Sequence, residues 1–163
     1  MRSADIEKAI WLHWARKQNR VICHNVSWGM FNHECDILVL EQDNTFTEIE
    51  IKVSKSDVKK DLQKPHKHES KKISRLYFAI PEDLYRPDVI ELIPDRAGIL
   101  VVTTKLQVQN KRKPAKPKTP YTAKENEIRQ LAYLLQFRFW KERIKANNLN
   151  QKLIDNNQVK LNL

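Results

Sequence analysis

Eight consecutive residues, Phe46 to Val53, constrain this chain more than any other stretch. Thr47, Ile49, Ile51 and Val53 alternate with Phe46, Glu48, Glu50 and Lys52. In an extended chain successive side chains point to opposite faces, so the segment reads as a strand with one face built for burial. The other face collects three charges, Glu48, Glu50 and Lys52, at two-residue spacing. A helix would scatter both sets around its circumference, so this period argues against one here.

The neighbouring segments fall into place around that strand. Glu34 to Leu40 is apolar enough for a strand before it, and Glu41-Gln42-Asp43-Asn44 has the Asx-rich chemistry of the hairpin loop between them. Val21 to Val26 reads as an earlier strand, with a turn near Gly29. Residues 3–18 are expected to be helical, with Ser3 as N-cap, Asp5 and Glu7 in the first turn, and Ile6, Ile10 and Trp14 at helical spacing. Downstream, Ser54 and Asp57 resemble a capping box for a helix over 55–64, with Val58 and Leu62 facing inward and Pro65 ending it. A polar, basic connection, His66 to Lys72, leads to a strand at Leu76–Ile80, a short helix near Glu82–Tyr85 and a last core strand at Ala97–Val102. This order predicts an α/β fold with an α-β-β-β-α-β core, a mixed sheet flanked by helices.

Composition changes after Thr104. Residues 105–118 hold six Lys or Arg and no acid, so 105–121 reads as a basic linker between a core domain, 1–104, and a C-terminal segment, 122–163. Thr122 and Glu125 have capping-box spacing for a long helix to about Asn147, followed by a polar tail. Ile128, Leu131, Leu135 and Phe139, widened by Leu134 and Trp140, form an apolar stripe that calls for a surface to dock on, either the core or a second copy in a homodimer.

Thirty Lys and Arg against twenty Asp and Glu leave a net charge of +10, which favours a polyanionic partner through counterion release but does not separate DNA from RNA. Cys23 and Cys35, with no CxxC spacing, suit two small apolar side chains in a reducing compartment better than a disulfide framework or a zinc motif. The N-terminus has no apolar signal region, and no apolar run approaches the roughly 18 residues of a membrane span, so a soluble cytoplasmic protein is expected, with no membrane partner.

Phosphodiester hydrolysis needs a metal to stabilise charge on the phosphoryl oxygens and an activated water to attack in line. Mg²⁺ takes hard oxygen ligands, typically one or two carboxylates. Asp36 on one arm of the predicted hairpin, and Glu50 and Lys52 on one face of the other, offer two carboxylates and a cation. Glu48 competes with Glu50, and Glu34 with Asp36, by the same two-residue periodicity. His66 and His68 fit phosphate contact, or no role, better than metal binding, and Trp11, Trp14, Trp28 and Trp140 fit packing better than base stacking.

Asp36, followed fourteen residues later by Glu50-Ile51-Lys52, resembles the D…(D/E)-x-K signature of the PD-(D/E)XK, restriction-endonuclease-like nuclease superfamily. Glu50 to Ser54 with Asp57 and Asp61, then Leu76 to Pro81 and Ala97 to Val101, is more narrowly similar to the MmcB-like DNA-repair branch, over roughly residues 3–104. Cys35 stands where the motif has proline. The resemblance implies a metal-dependent DNA endonuclease. Asp36, Glu50 and the Ile51 carbonyl would hold Mg²⁺, with Mn²⁺ able to substitute. Lys52 would position and deprotonate water or stabilise phosphoryl charge, and Glu7 would join through a metal-bound water. Lys55, Lys59 and Lys60 would contact DNA phosphates. The rival expectation is a non-catalytic DNA-binding or assembly module on the same fold.

Overall fold

A computed structural model of the chain describes residues 1–16, 20–27, 31, 33–63, 68 and 70–161, with side chains described for all of these except 62 and 152–161. Expectations for Trp28, the turn at Gly29, Lys64, Pro65, His66 and the Leu62 side chain lie outside the described residues.

The elements run α1 (Ser3–Ala15), β1 (Val21–Val26), β2 (Cys35–Leu40), β3 (Phe46–Ile51), α2 (Lys55–Leu62), β4 (Ile73–Pro81), a single 3₁₀ turn at Glu82–Leu84, α3 (Pro87–Ile90), β5 (Gly98–Val102), β6 (Val108–Arg112) and α4 (Glu125–Leu161). The fold is α/β: one six-stranded mixed sheet in the order β1-β2-β3-β4-β5-β6, flanked by helices, with a long C-terminal helix. Pairs β3–β4 and β4–β5 are parallel and the rest antiparallel. Each parallel pair is joined through helical turns, as parallel connections require.

The chain divides into two compact units, Met1–Ala123 and Lys124–Leu163. In the first, α1 buries Ile6, Ala9, Ile10 and Trp14 against Ile37, Val39, Ile49, Ile51, Tyr77, Ala79, Leu100 and Val102. The opposite sheet face is apolar over β4 and β5, where Leu76, Phe78, Ile80, Ile99 and Val101 pack with Val58 of α2, Leu84, and Val89 of α3. Ser54 caps α2 as expected, its hydroxyl accepting from the Asp57 N–H at 3.2 Å. For α1 the cap is Arg2 rather than Ser3, and the Asp5 carboxylate accepts from the Arg2 backbone N–H at 3.0 Å. Val53, expected on the buried face, is 39% exposed because the chain leaves the sheet after Ile51.

Part of the expected linker is a strand. Val108–Arg112 forms β6 on the β5 edge. Its side chains are largely exposed, so no hydrophobic alternation announces it, while its backbone satisfies the edge groups of β5. Arg112 bonds the carbonyls of Ala97 (2.8 Å), Pro94 (2.9 Å) and Ile93 (3.2 Å), so this member of the basic tract closes a loop. Gly98 is required where β5 lies between neighbours: an added Cβ would stand 2.5 Å from the Tyr77 ring and 2.8 Å from the Arg112 carbonyl oxygen.

In the second unit, α4 begins at Glu125 and runs to Leu161, past the expected end near Asn147. The expected Thr122–Glu125 box is replaced two residues on: Glu127 accepts from the Lys124 backbone N–H at 2.8 Å. Phe139 and Trp140 are 58% and 52% exposed, and so is Trp11 of α1 at 53%, whereas Trp14 is buried and meets the Tyr77 ring edge-on. Among the described residues no helix is long and apolar enough to cross a membrane.

Candidate functional site

The charged face of β3 is buried. Glu48, Glu50 and Lys52 are 0%, 1% and 4% exposed. Burying ionised groups costs several kcal/mol each unless they are paired, so their partners determine what this face can do.

The β2–β3 hairpin brings the first pair together. Ile37 pairs with Ile49, and one step further along the ladder Asp36 meets Glu50. The Asp36 carboxylate accepts from the Ile51 N–H at 2.8 Å, and Glu50 accepts from the Asp36 N–H at 3.4 Å. Each acid is therefore oriented by the other strand's backbone. Lys52, just past β3, donates its backbone N–H to Ala79 of β4, which keeps its side chain in register with Glu50. Its ammonium lies 3.0 Å from Glu50 and 3.0 Å from Asp61 of α2.

Glu48 organises a second group. Its Oε1 meets His33 Nε2 at 2.7 Å and His68 Nδ1 at 2.8 Å, and the other His68 nitrogen lies 2.5 Å from Asp61. His33 and His68 are themselves buried, with ring centroids 5.2 Å apart and nearly perpendicular planes. His68 sits in the left-handed backbone region (φ 54°), an uncommon position for a non-glycine residue, and Arg96 bonds its carbonyl at 3.1 Å. Cys35 Sγ is 3.9 Å from His33 Nε2.

These contacts shift protonation. Burial, reinforced by the Asp36 carboxylate, pushes the Glu50 carboxyl up to about 7 despite Lys52 and His68 nearby. Burial works against the charged forms of Lys52 and His68, but their carboxylate partners outweigh it. Lys52 is held above the ordinary lysine range by Glu50 and Asp61, and His68 is raised to about 9 by Asp61 and Glu48. Glu48 is lowered, since its bonds to the two histidines outweigh its burial. Burial, with Glu48, Glu50 and Asp36 near it, raises the Cys35 thiol.

The structure thus brings Asp36, Glu50 and Lys52 to one place, and with them Glu48, Asp61, His33 and His68. Buried acidic and histidine groups close enough to hold a metal ion are present: His33, Cys35 and Glu48 in one set, Glu48, Glu50 and His68 in another. Glu34 is exposed, which favours Asp36 over it, whereas Glu48, the competitor of Glu50, is fully buried beside it. Glu7 stands apart from this group in its described ion pair, which is with His24 of β1 at 3.7 Å. Of the expected phosphate contacts, Lys59 and Lys60 are exposed, while Lys55 pairs with Asp88 at 2.6 Å. Asp61 carried a readable signal, an acid three residues after Val58 on the inward side of α2. His33 carried none, since it lies in a loop and its partner is fifteen residues away on β3.

No protein-family model matches the chain. No curated protein matches it. Among solved structures it is similar to SPO1766, a protein of unknown function from Silicibacter pomeroyi, at a TM-score of 0.69 and 18% identity over 88% of this chain and 92% of that one. That likeness concerns the fold.

Proposed function

We propose that this chain is a metal-dependent DNA endonuclease that hydrolyses phosphodiester bonds through Asp36, Glu50 and Lys52. The observation that carries the reading is the meeting of the Asp36 and Glu50 carboxyls across the hairpin, close enough that Asp36 helps to raise Glu50. Two carboxyl groups set against each other in a buried place are stabilised most by a cation shared between them. Their oxygens, with the Ile51 carbonyl, are a hard donor set that fits Mg²⁺, with Mn²⁺ able to substitute. When bound, the ion supplies charge stabilisation at the phosphoryl oxygens.

The chain's own residues supply the rest. Lys52, held as an ammonium by Glu50 and Asp61, brings a positive charge to the phosphoryl group as negative charge builds on it. This favours charge stabilisation over water deprotonation for that residue. Asp61 fixes the lysine from α2, and the Ile51 N–H fixes Asp36. Lys59 and Lys60 on the exposed side of α2, with Lys55, hold backbone phosphates. Cutting both strands of a duplex with one site per chain calls for a second copy, and the aromatic residues exposed on α4 suit such a homodimer.

One observation favours a second reading, a non-catalytic DNA-binding or assembly module: Lys52 already has two carboxylate partners and is only 4% exposed. The test is cleavage of supercoiled, linear, flapped, branched and single-stranded DNA with Mg²⁺ or Mn²⁺. Cleavage that falls roughly 100- to 1,000-fold in Asp36→Ala and in Lys52→Ala, with DNA binding retained by Lys52→Ala, is the expected result. Binding without cleavage on every substrate and with either metal selects the second reading.

A further inference from the structure

We propose that His33, Cys35 and Glu48 form a separate site for a transition metal of borderline softness, with Zn²⁺ the best fit. One donor atom from each, an imidazole nitrogen, a thiolate sulfur and a carboxylate oxygen, lies within 4.8 Å of the other two. A metal of zinc's size binds such atoms at about 2.0–2.3 Å in a tetrahedron, which sets donors roughly 3.3–3.8 Å apart. The 3.9 Å from Cys35 Sγ to His33 Nε2 is already close to that spacing; the 2.7 Å from His33 Nε2 to Glu48 Oε1 must open by less than about 1 Å, and the other oxygen of the same carboxylate, Oε2, is on hand to complete the coordination.

A second observation points to a ligand independently. Glu48 is 0% exposed, and its Oε2 has no hydrogen-bond partner among the described residues. A buried carboxylate oxygen left in this state is costly, and a metal ion would satisfy it. The donor chemistry separates this site from the one proposed for Mg²⁺. Thiolate and imidazole select zinc-like metals, whereas the all-oxygen set of Asp36, Glu50 and Ile51 selects Mg²⁺. On binding, the Cys35 thiol gives its proton to solvent. The three protein donors leave the fourth position open to water. His68 bonds the same carboxylate, with Asp61 behind its other nitrogen, and so serves as an outer partner that orients the ligating Glu48. A stably held ion here would also fasten the segment before β2 to the middle of β3.

The site does not depend on the nuclease reading, and its test measures metal rather than cleavage. The full chain is titrated with Co²⁺ as a spectroscopic probe, then with Zn²⁺ in competition, and bound metal is counted by elemental analysis. The expected result is one equivalent bound with a thiolate-to-metal charge-transfer band, displaced by Zn²⁺. Cys35→Ser removes the band. His33→Asn weakens binding by more than the roughly 10- to 100-fold that loss of an outer-sphere partner costs. Cys23→Ser and Asp36→Ala keep the band, and circular dichroism establishes that each variant is folded. A wild-type chain with no thiolate band, or a band that survives Cys35→Ser, overturns the proposal; the wild-type arm holds even if a variant fails to fold.

Discussion

The two faces of β3 are buried alike and held by opposite means. On the α1 side, Ile49 and Ile51 meet Ile6, Ile10 and Trp14, and burial alone is favourable, about 1.5–3 kcal/mol for a side chain of this size. On the α2 side, Glu48, Glu50 and Lys52 are as deeply buried, and burial alone is unfavourable for each of them. The apolar layer that covers β4 and β5 on that side contains no residue of β3. In its place Glu48, Glu50, Asp61, Lys52, His33 and His68 are bonded to one another, and the Asp36 backbone N–H donates to Glu50. An apolar cluster on this face would have served stability at lower cost. The polar one suits the proposed hydrolysis, which would need charge in a dry place.

The sharpest way to break this contrast is to truncate each face at its centre. Glu48→Ala leaves His33 and His68 buried without their shared acceptor and should cost about 3–5 kcal/mol. Ile49→Ala, on the other face, leaves a cavity and should cost about 2–5 kcal/mol. Urea denaturation of the two variants measures both. If Glu48→Ala is nearly neutral, mutual pairing is not what holds the charged face.

A smaller effect separates the faces by pH, since only one of them titrates. His68 is raised from 6.5 to about 9, so its contribution to stability is complete below 6.5 and is lost as pH rises through 9. Glu50 is raised from 4.5 to about 7, so its folded form also holds the proton more tightly, and its contribution is lost as pH rises through 7. In chelator, the urea midpoint should therefore fall between about pH 4.5 and 7 through Glu50 and between about pH 6.5 and 9 through His68. Glu48, lowered, acts in the opposite sense, stabilising above its ordinary 4.5 and losing that contribution in acid. A midpoint that rises across the alkaline window contradicts the assignment of His68 as a buried, paired cation.

The smallest effect lies at the rim. Lys55 and Asp88 form an ion pair whose side chains are 38% and 50% exposed, so Lys55→Ala should change stability by no more than about 1 kcal/mol. A similar surface replacement at Lys59 or Lys60 should leave stability alone and reduce the salt dependence of DNA binding by about one unit of slope each. Filter binding across a salt series checks this. An unchanged slope removes the exposed side of α2 from the proposed interface.

Much of the architecture was legible because it depends on neighbours in the chain. Period-two alternation located β3, the Asx-rich loop located the hairpin, and Ser54 located the start of α2, each through contacts within a few residues. The hairpin also made Asp36, Glu50 and Lys52 legible as a group, since a short loop dictates which residues of its two arms face each other. Where the reading fell short, the deciding contact was remote. β6 forms because the open edge of β5 needs backbone partners, a demand that leaves no mark on the side chains of Val108–Arg112. The expected linker there came from composition, which records charge and not edge pairing.

What the sequence determined by itself was the order of the main helices and strands up to β5 and the two-faced character of β3. The tertiary structure decided that the charged face would be buried and which residues would answer it. His33, Asp61 and His68 reach Glu48 and Lys52 from a loop, a helix and a second loop. No local periodicity links those positions. They meet because the packed fold excludes water from the charges on β3 and leaves them one another to pair with.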